Sequence, residues 1–395
     1  MGKTENNKNI LFYITNYPGY GGIEKVTTIL ANLLAKNNYN IFILSFHNGA
    51  KELMNEINTD IKVFFLPNEN NFNSKENNIY INNIFNQYAI DWIIYQDCYS
   101  PIHELLFNNA IIDSQKKLLI VEHNSPCCQL KAYKNYWEKL NWFNPHDFFR
   151  KILYPYKKRS IYKKISLRHK LLLNKCYKYI LLSKSFKKEL NYLVGNKYDN
   201  KIISIPNPVT LPPISDTKSL EKKEKMIFIG RLVEDKGIKY LLDIWESFKK
   251  EKNNWQLLII GKGPLKKFME NEIQKREIKD IQILGTQTNV SPYLENASML
   301  LMTSIFEGFP LVLLEAMSRR CVPIAFNSFS SIKDIIDDKI NGVLIPPFNI
   351  NQYVESLLYL THNQEVLNKL AIKAEEKAQN FSLSNIEKEW ISLLQ

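Results

Sequence analysis

The sequence predicts an α/β protein made of two Rossmann-like domains that face each other across a cleft. Three observations support this prediction. The chain has 395 residues, too many for one compact core. Its beginning has the pattern of strand, glycine-containing loop, helix and strand within about 40 residues, which is typical of a βαβ unit with a parallel sheet. The same pattern starts again after a polar, proline-containing stretch at 207–225, which indicates a linker.

The first half begins with "NILFYITNYP", a short apolar run that predicts a strand. After "GYGG", apolar residues recur at helical spacing in "IEKVTTILANLLAKNN", and "YNIFILSF" predicts a buried strand. Further strands are predicted at 61–67, 91–96 and 117–123. The segment "KYILLSKSFKKELNYL" predicts a strand followed by a helix, and 201–209 is the last strand of this half.

The second half repeats the alternation of strands and helices. Its predicted strands are "MIFIGR", "WQLLIIG", "IQILG", "SMLLMT", "VPIAF" and "GVLIPP". We place the first domain at 1–208 and the second at 209–379. A C-terminal helix at 380–395 is expected to pack back on the first domain.

The net charge of +12 comes from one part of the chain. Residues 131–201 hold 19 Lys or Arg and 4 Asp or Glu, whereas 213–395 hold 24 of each. A basic amphipathic helix with aromatic residues is typical of binding to an anionic membrane surface. The alternative is a solvated helix docked on its own domain, while nucleic acid is disfavoured because the neighbouring motifs do not need it. The predicted membrane or acceptor tract comprises Lys157, Lys158, Arg159, Lys163, Lys164, Arg168 and Lys170.

The sequence favours a cytoplasmic protein. The apolar run near the start covers only 10–14, too short for a secretory signal. No run approaches the roughly 18 apolar residues of a membrane span. The five cysteines show no CxxC pair and no metal-ligand spacing. The adjacent Cys127 and Cys128 fit two ordinary thiols better than a redox pair.

Two loops that follow predicted strands could bind an anion. The segment 16–25 places three glycines before a helix, where the backbone can approach a ligand and helix N–H groups are available. The alternative there is a plain tight turn. In "FIGRLVEDKG", Gly230 is followed by Arg231 and Lys236, two cations suited to a diphosphate. The alternative is a surface pairing of these cations with Glu234 and Asp235.

The segment "SIFEGFPLVLLEAM" carries two glutamates, Glu307 and Glu315, within an apolar stretch. Gly308 and Pro310 break the chain before a helix, with Pro310 expected at its first position. Glu307 then precedes the helix and Glu315 lies on it. Either both carboxylates are exposed, or they hold different parts of one ligand, such as a sugar and a ribose. His123, at another strand end, is either structural or functional.

With these residues, the chain resembles the retaining glycosyltransferases of sequence family 4, which have the GT-B fold. The motifs "FIGRLVEDKG", "IIGKGP", "SIFEGFPLVLLEAM" and "NGVLIPP" occur in the family's order. Glu307 and Glu315 match its E-x7-E element, "YGGIEK" matches its N-terminal glycine loop, and "EHNS" lies where many members carry a histidine. The turn after "CVPIAF" departs from the family, because it is "NSFSSIKD" and lacks the usual glycines.

The resemblance implies a metal-independent, hexosyltransferase-type enzyme with no cofactor, using a UDP- or GDP-linked sugar. Its acceptor would be a glycan or lipid-linked molecule in the synthesis of lipopolysaccharide, capsule or another bacterial surface polysaccharide. It would be peripheral on the cytoplasmic face of the inner membrane. Arg231, Lys236, Glu307 and His123 would be catalytic. The donor would be bound by Gly22, Gly230, Gly308, Phe309, Pro310, Leu311, Val312 and Glu315. The alternatives are a GT-B nucleotide-sugar epimerase or hydrolase and a membrane-associated scaffold without turnover.

Overall fold

The computed structural model describes residues 8–108, 117–138, 140–141, 143–214, 221–251 and 253–395. The chain divides into an N-terminal unit, Met1–Asn207 with Ile386–Gln395, and a C-terminal unit, Pro208–Asn385. Each unit contains one parallel β-sheet and the helices packed on it. The prediction of two Rossmann-like α/β domains is confirmed.

The sheet of the N-terminal unit has seven strands. They are β1 (Asn9–Tyr17), β2 (Asn40–Asn48), β3 (Lys62–Phe65), β4 (Trp92–Tyr95), β5 (Lys117–Glu122), β6 (Lys178–Leu181) and β7 (Ile202–Ser204). Their spatial order is β3-β2-β1-β4-β5-β6-β7, and all neighbours are parallel. The direction of winding reverses between β1 and β4. In open α/β sheets, ligands bind beyond the carboxyl ends of the strands at such a reversal.

The helices of this unit connect the strands. They are α1 (Gly22–Lys36), α2 (Lys75–Tyr88), α3 (His103–Asn108), α4 (Cys128–Glu138), α5 (Pro145–Ile152), α6 (Tyr154–Lys175) and α7 (Phe186–Val194). The central strands are apolar along most of their length because helices cover both faces of a parallel sheet. Val26, Leu30 and Leu34 form the buried stripe of α1, at the helical spacing that the sequence shows.

The C-terminal unit has a six-stranded sheet. Its strands are β8 (Lys223–Ile229), β9 (Gln256–Ile260), β10 (Ile281–Gly285), β11 (Ala297–Met302), β12 (Val322–Phe326) and β13 (Val343–Ile345). The spatial order is β10-β9-β8-β11-β12-β13, again all parallel. The reversal lies between β8 and β11, so the loops that follow these two strands are neighbours.

The helices of the C-terminal unit follow the same alternation. They are α8 (Ile238–Phe248), α9 (Lys266–Lys275), α10 (Ser291–Asn296), α11 (Leu311–Met317), α12 (Ile332–Ile335), α13 (Ile350–His362) and α14 (Gln364–Gln379). The core beneath α8 contains Trp245 and Phe248, both fully buried. Trp245 is satisfied in this core because its indole N–H donates to Lys279 O at 2.9 Å.

The last helix, α15 (Leu383–Leu394), returns the chain to the N-terminal unit, which includes Ile386–Gln395. Trp390 and Leu394 on this helix are buried. Lys8 Nζ donates to Leu394 O at 2.6 Å, and Asn37 Nδ2 donates to Glu387 Oε1 at 2.5 Å. These contacts tie residues near the two ends of the chain to one another.

The basic helix α6 packs on its own sheet through the apolar stripe that the sequence shows. Ile165 and Leu172 on this stripe are fully buried in the core of the N-terminal unit. This arrangement is the docked helix that was one of the alternatives for the stripe. The basic residues of this helix differ in their exposure to solvent. Lys157, Lys158, Arg159, Lys163 and Lys164 are exposed, whereas Arg168 and Lys170 are partly buried.

Arg168 does not project from the surface as a membrane-binding tract requires. Its guanidinium carbon lies 4.3 Å from the centre of the Tyr99 ring. Arg168 is therefore packed against its own unit, and the membrane or acceptor role of the tract stays a prediction. The cause is the helical period, because Arg168 lies three residues after Ile165 and shares its inward side.

Candidate active site

Two glycine turns lie side by side at the carboxyl end of the C-terminal unit's sheet. The chain leaves β8 at Gly230, whose amide donates to Ile260 O at 3.0 Å. The neighbouring turn begins at Gly261, where φ is +147° and a Cβ would lie 1.9 Å from Gly230 O. A side chain has no room at this approach, so the second turn packs directly on the first. Arg231, the residue after Gly230, has an exposed side chain.

Lys236 and Glu307 meet at this edge of the sheet. Lys236 Nζ and Glu307 Oε1 form an ion pair between side chains that are 20% and 11% exposed. Ser304 Oγ donates to the same carboxylate oxygen at 2.6 Å. The two charged residues come together because they follow β8 and β11, which are neighbours in the sheet. The structure thus brings together one predicted catalytic cation and the predicted catalytic carboxylate.

Backbone contacts hold these two loops together. Thr303 Oγ1 donates to Lys236 O at 2.9 Å, and the Ile305 amide donates to Asp235 O at 2.8 Å. Gly237 has φ of +67°, and a Cβ at this position would lie 2.0 Å from Thr303 O. The ion pair is therefore positioned by packed backbone as well as by its own attraction.

The loop from Glu307 to α11 is also fixed. Gly308 O accepts a hydrogen bond from Ser331 Oγ. Phe309 is buried, and its ring centre lies 5.8 Å from that of Phe381. Contacts on both sides therefore fix the shape of this loop.

Pro310 is the residue before α11, and the helix begins at Leu311. The expectation that Pro310 would be the first helical residue was wrong by one position, since its ψ of 106° is extended. Val312 in the first turn lines a small cavity together with Lys236, Ser304 and Glu307. Its other lining residues belong to β8 and β11, and its volume of about 10 Å³ is too small for a sugar or a phosphate.

Glu315 lies on α11, as predicted, and is only 6% exposed. Thr210 Oγ1, in the segment that enters the C-terminal unit, donates to Glu315 Oε1. Just after α11, Arg319 Nη2 donates to Pro212 O at 2.5 Å. The predicted ribose-binding carboxylate is thus also the point at which the start of this unit is attached to α11.

In the N-terminal unit, the glycine loop precedes α1, and Gly22 is the exposed first residue of that helix. Glu24 folds back over the loop, so that a Cβ at Gly21 would lie 2.1 Å from Glu24 Oε2. Burial raises the pKa of Glu24, and the nearby Asp97 carboxylate raises it further. The loop predicted to approach phosphates therefore has a carboxyl group of the chain beside it.

His123 follows β5 directly and is 9% exposed. Its Nε2 lies 2.6 Å from Gln96 Oε1, at the end of the neighbouring β4. An amide oxygen only accepts, so Nε2 carries the proton in this contact. Burial lowers the pKa of His123 to about 4, although the neighbouring Glu122 opposes the shift. His123 is accordingly a neutral imidazole at pH 7.

Glu122 connects the end of β5 to α6. Its Oε2 accepts from Tyr179 Oη at 2.7 Å and lies 3.1 Å from His169 Nε2. Complete burial opposes ionisation of Glu122, but the hydrogen bonds and charge of His169, with the hydrogen bond of Tyr179, outweigh it and lower its pKa. This buried network holds the backbone that precedes His123.

Three partner residues were not predicted from the sequence. Ser304, Thr210 and Gln96 bond to Glu307, Glu315 and His123, respectively. A usable signal existed for Ser304 and Gln96, because each is a polar residue just beyond a buried strand. Thr210 gave no such signal. Within the described ranges, no group of three or more His, Cys, Asp or Glu side chains is arranged to hold a metal ion.

Comparison with known proteins shows which family the C-terminal unit resembles. Residues 214–377 match the family model described as glycosyl transferases group 1. Over its length, the chain is 27% identical across 393 residues to an uncharacterized glycosyltransferase of Haemophilus influenzae, covering 98% of this chain and 100% of that protein. It is 33% identical across 162 residues to the lipopolysaccharide 1,6-galactosyltransferase of Salmonella typhimurium, covering 39% and 43% of the two proteins.

Solved structures agree in fold. A complex of a Staphylococcus aureus TarM variant with fondaparinux, alpha-GlcNAc-glycerol and UDP has a TM-score of 0.72 at 15% identity, with 98% of this chain and 100% of that chain covered. Anabaena HepE in complex with UDP has a TM-score of 0.73 at 15% identity, with 98% and 99% covered. Residues 214–377 are thus similar to the glycosyl transferases group 1 family, and the chain has the GT-B fold.

Proposed function

We propose that the protein transfers a sugar, with retention of anomeric configuration, from a UDP- or GDP-linked donor to a glycan or lipid-linked acceptor. The reaction would serve the synthesis of lipopolysaccharide, capsule or another cell-surface polysaccharide. The observation that carries the proposal is the Lys236–Glu307–Ser304 cluster, which lies at the strand-order reversal of a glycosyl transferases group 1 domain.

The chemistry requires stabilisation of a leaving nucleoside diphosphate. Negative charge grows on the bridging oxygen as the sugar departs, and fixed positive charge lowers the barrier. Arg231 and Lys236 would supply that charge without a metal ion. The amides of Leu311 and Val312 and the Gly308–Pro310 loop would bind the phosphates and sugar, and Gly230 would allow close approach of the backbone.

Glu307 would accept hydrogen bonds from sugar hydroxyls, and Glu315 from ribose hydroxyls. Lys236 and Glu307 are paired with each other in the structure. A donor would replace this mutual contact with a diphosphate on the cation and hydroxyls on the carboxylate. The loops are already held together through backbone contacts, so little reorganisation would be needed.

Gly22 and His123 would act on the donor from the N-terminal unit. Since the single N–H of the neutral imidazole is donated to Gln96, His123 would accept a hydrogen bond from a sugar hydroxyl at Nδ1 without adding charge. These two roles are predictions from the motif resemblance. The role of His123 is tested by comparing His123→Ala with His146→Ala, because His146 is exposed in the same unit.

The printed names of relatives support this substrate class. A Campylobacter jejuni relative, 29% identical over 46% of this chain and 50% of its own length, is an N-acetylgalactosaminyltransferase acting on an undecaprenol-diphosphate-linked glycan. Anabaena HepE has been crystallised with UDP-glucose. A lipid-linked acceptor would also agree with a peripheral position on the cytoplasmic face of the inner membrane.

The test begins with a panel of nucleotide sugars screened by thermal unfolding. A ligand at about 100 times its Kd stabilises the folded state by about 2.7 kcal/mol. We expect one donor to raise the midpoint, and sugar release from it to require membrane extract or a supplied acceptor. Rapid donor turnover without acceptor would instead identify an epimerase or hydrolase. Absence of stabilisation by any donor, UDP or GDP would indicate a scaffold.

A pair of variants then tests the site. Glu307→Gln removes the charge from the cluster, while Glu270→Gln removes one from an exposed pair with Lys266 on α9. We expect the first change to abolish transfer and the second to leave it unchanged, with both proteins folded. Full transfer by Glu307→Gln would exclude this cluster as the reaction site.

A further inference from the structure

Exposed apolar and basic side chains occur on α5, on α6 and at Phe143 just before α5, and we name this set the aromatic–basic face. Its apolar members are Phe143, Phe149, Ile152, Tyr156, Leu167 and Leu171. Its basic members are Arg150, Lys157, Lys158, Arg159, Lys163 and Lys164.

The exposure of these apolar residues is unusually high for large side chains. Phe143 is 95% exposed, Tyr156 74% and Leu167 70%. Phe149 is exposed as well and packs edge-on against Phe148, with ring centres 5.9 Å apart. On α6, Tyr156, Leu167 and Leu171 share one side, and exposed apolar groups on one side of a helix mark a site where another surface binds.

The long helix α6 has two apolar sides. Ile165 and Leu172 face the core of the N-terminal unit. Tyr156, Leu167 and Leu171 are exposed, and Leu167 lies 11 residues after Tyr156, on the same side of a helix. Packing of α6 on its own sheet therefore explains the first side and leaves the second without a partner in the described chain.

The charge of the face determines which partner fits. Asp147 is the sole acidic residue between 139 and 188, and it lies 3.5 Å from Arg150. Lys157, Lys158 and Arg159 follow one another in the first turns of α6, and all three are exposed. Long cationic side chains can keep their charges in water while their stems cover apolar surface.

An anionic bilayer surface can bind both the exposed apolar side chains and the positive charges of this face. Aromatic and aliphatic groups enter the boundary between headgroups and acyl chains, and Lys and Arg remain among anionic headgroups. A soluble polyanion would neutralise the cations but leave Ile152 and Leu167 in water. Among the helices of the described chain, none is long and apolar enough to cross a membrane.

We propose that the aromatic–basic face binds an anionic lipid bilayer, with α6 lying along the surface and the rings of α5 at headgroup depth. The aromatic–basic face would be the surface through which the protein takes its peripheral position on the membrane. This face is separate from the buried stripe of α6. It does not rest on sugar transfer, because lipid binding can be measured without donor or acceptor.

The test is flotation of the full chain with vesicles of phosphatidylcholine, alone or with about one third phosphatidylglycerol. Three variants are compared with the unchanged protein: Phe143→Ser/Phe149→Ser, Lys157→Gln/Lys158→Gln/Arg159→Gln, and the control Tyr359→Ser/Ile372→Ser. The control removes exposed apolar groups from the C-terminal unit. Circular dichroism and the thermal midpoint establish that each variant is folded.

We expect binding only to the anionic vesicles, weakening with salt. Removal of the three cations should reduce partitioning on the order of 100-fold, and removal of the two rings about tenfold or more, with the control unchanged. Equal binding by all variants, or no binding at low salt, would overturn the proposal. A dimer that the ring variant dissociates, without vesicle binding, would instead make the face a contact between two copies.

Discussion

Thr210 donates its hydroxyl hydrogen to Glu315 Oε1, joining the first residues of the C-terminal unit to the helix that carries the predicted ribose ligand. Glu315 is 6% exposed, so its charge needs hydrogen-bond partners within the protein. The same carboxylate therefore serves structure and, under the proposed function, donor binding.

Thr210→Val should weaken both roles. The change removes a hydrogen bond to a buried charge while keeping the side-chain shape, and we expect a loss of about 1.5–3 kcal/mol in unfolding free energy. Urea unfolding and the KM for donor are the measurements, and Thr210→Ser, which keeps the hydroxyl, is the control. Equal stability of the Val and Ser variants would show that this hydrogen bond contributes nothing.

Because Lys236 and Glu307 form an ion pair, we expect the effects of substituting them on stability to be non-additive. Lys236→Met alone leaves a mostly buried carboxylate without its cation, and Glu307→Gln alone leaves the cation without its carboxylate. We expect each single change to cost about 1–3 kcal/mol in stability, and the double change to cost less than the sum.

Transfer should respond differently from stability. Loss of a fixed charge that acts on the leaving group costs on the order of 100- to 1000-fold in kcat, so the double variant stays inactive even where its stability recovers. A double-mutant cycle with thermal midpoints and transfer rates measures both effects. Additive stability losses would contradict an interaction between these side chains.

Two glycines offer a matched comparison of backbone geometry. Gly237 has φ of +67° and no space for a Cβ, because Thr303 O would lie 2.0 Å away. Gly285 has a similar φ of +69°, and nothing lies within 4 Å of its Cβ position. We expect Gly285→Ala to cost about 1–2 kcal/mol, from the left-handed conformation alone.

Gly237→Ala should cost more, because it also displaces the Thr303 carbonyl that precedes Ser304 and Glu307 in the chain. We expect it to lower transfer as well as the unfolding free energy. Thermal unfolding and the transfer assay are again sufficient. If both alanine variants have the same stability, the close contact at Gly237 is not significant.

His123 predicts a pH dependence of stability. Its pKa is lowered by burial to about 4 in the folded protein, whereas the unfolded chain protonates near the ordinary value of about 6.5. The unfolded state therefore binds more protons between these values. The contribution of neutral His123 to the free energy of unfolding is complete above about pH 6.5. It is lost as the pH falls towards 4, by about 3 kcal/mol in total.

His123→Gln should flatten the stability curve between pH 4 and 6.5 relative to the unchanged protein, an interval set by the two pKa values. The measurement is urea unfolding at a series of pH values, with His146→Gln as an exposed control. A curve of unchanged slope would mean that His123 is not held neutral by burial.

Much of the fold could be predicted because parallel sheets have a strong sequence pattern. Buried strands such as β1 and β11 are short apolar runs, and the loops after them carry glycine or polar residues. The same pattern placed Lys236, Glu307 and His123 at strand ends. What it could not give was their partners, since the Lys236–Glu307 pair depends on which strands are neighbours.

The basic helix shows a second limit. Its sequence contains a stripe with Ile165 and Leu172, but a stripe does not reveal whether it faces a core or a membrane. The structure assigns it to the core, turns Arg168 inward onto Tyr99 and leaves Tyr156 and Leu167 outside. Thr210 was missed for a related reason, because a residue in a connecting segment has no periodic pattern.

The return of α15 to the N-terminal unit has a consequence for synthesis on the ribosome. Lys8 bonds to Leu394 O, and Trp390 and Leu394 are buried, so the N-terminal unit lacks part of its interior until Ile386–Gln395 have been made. The C-terminal unit, by contrast, is contiguous in the chain and can fold as soon as it emerges. The later-made half can thus finish folding first, and the nascent earlier half must wait for it with apolar surface uncovered.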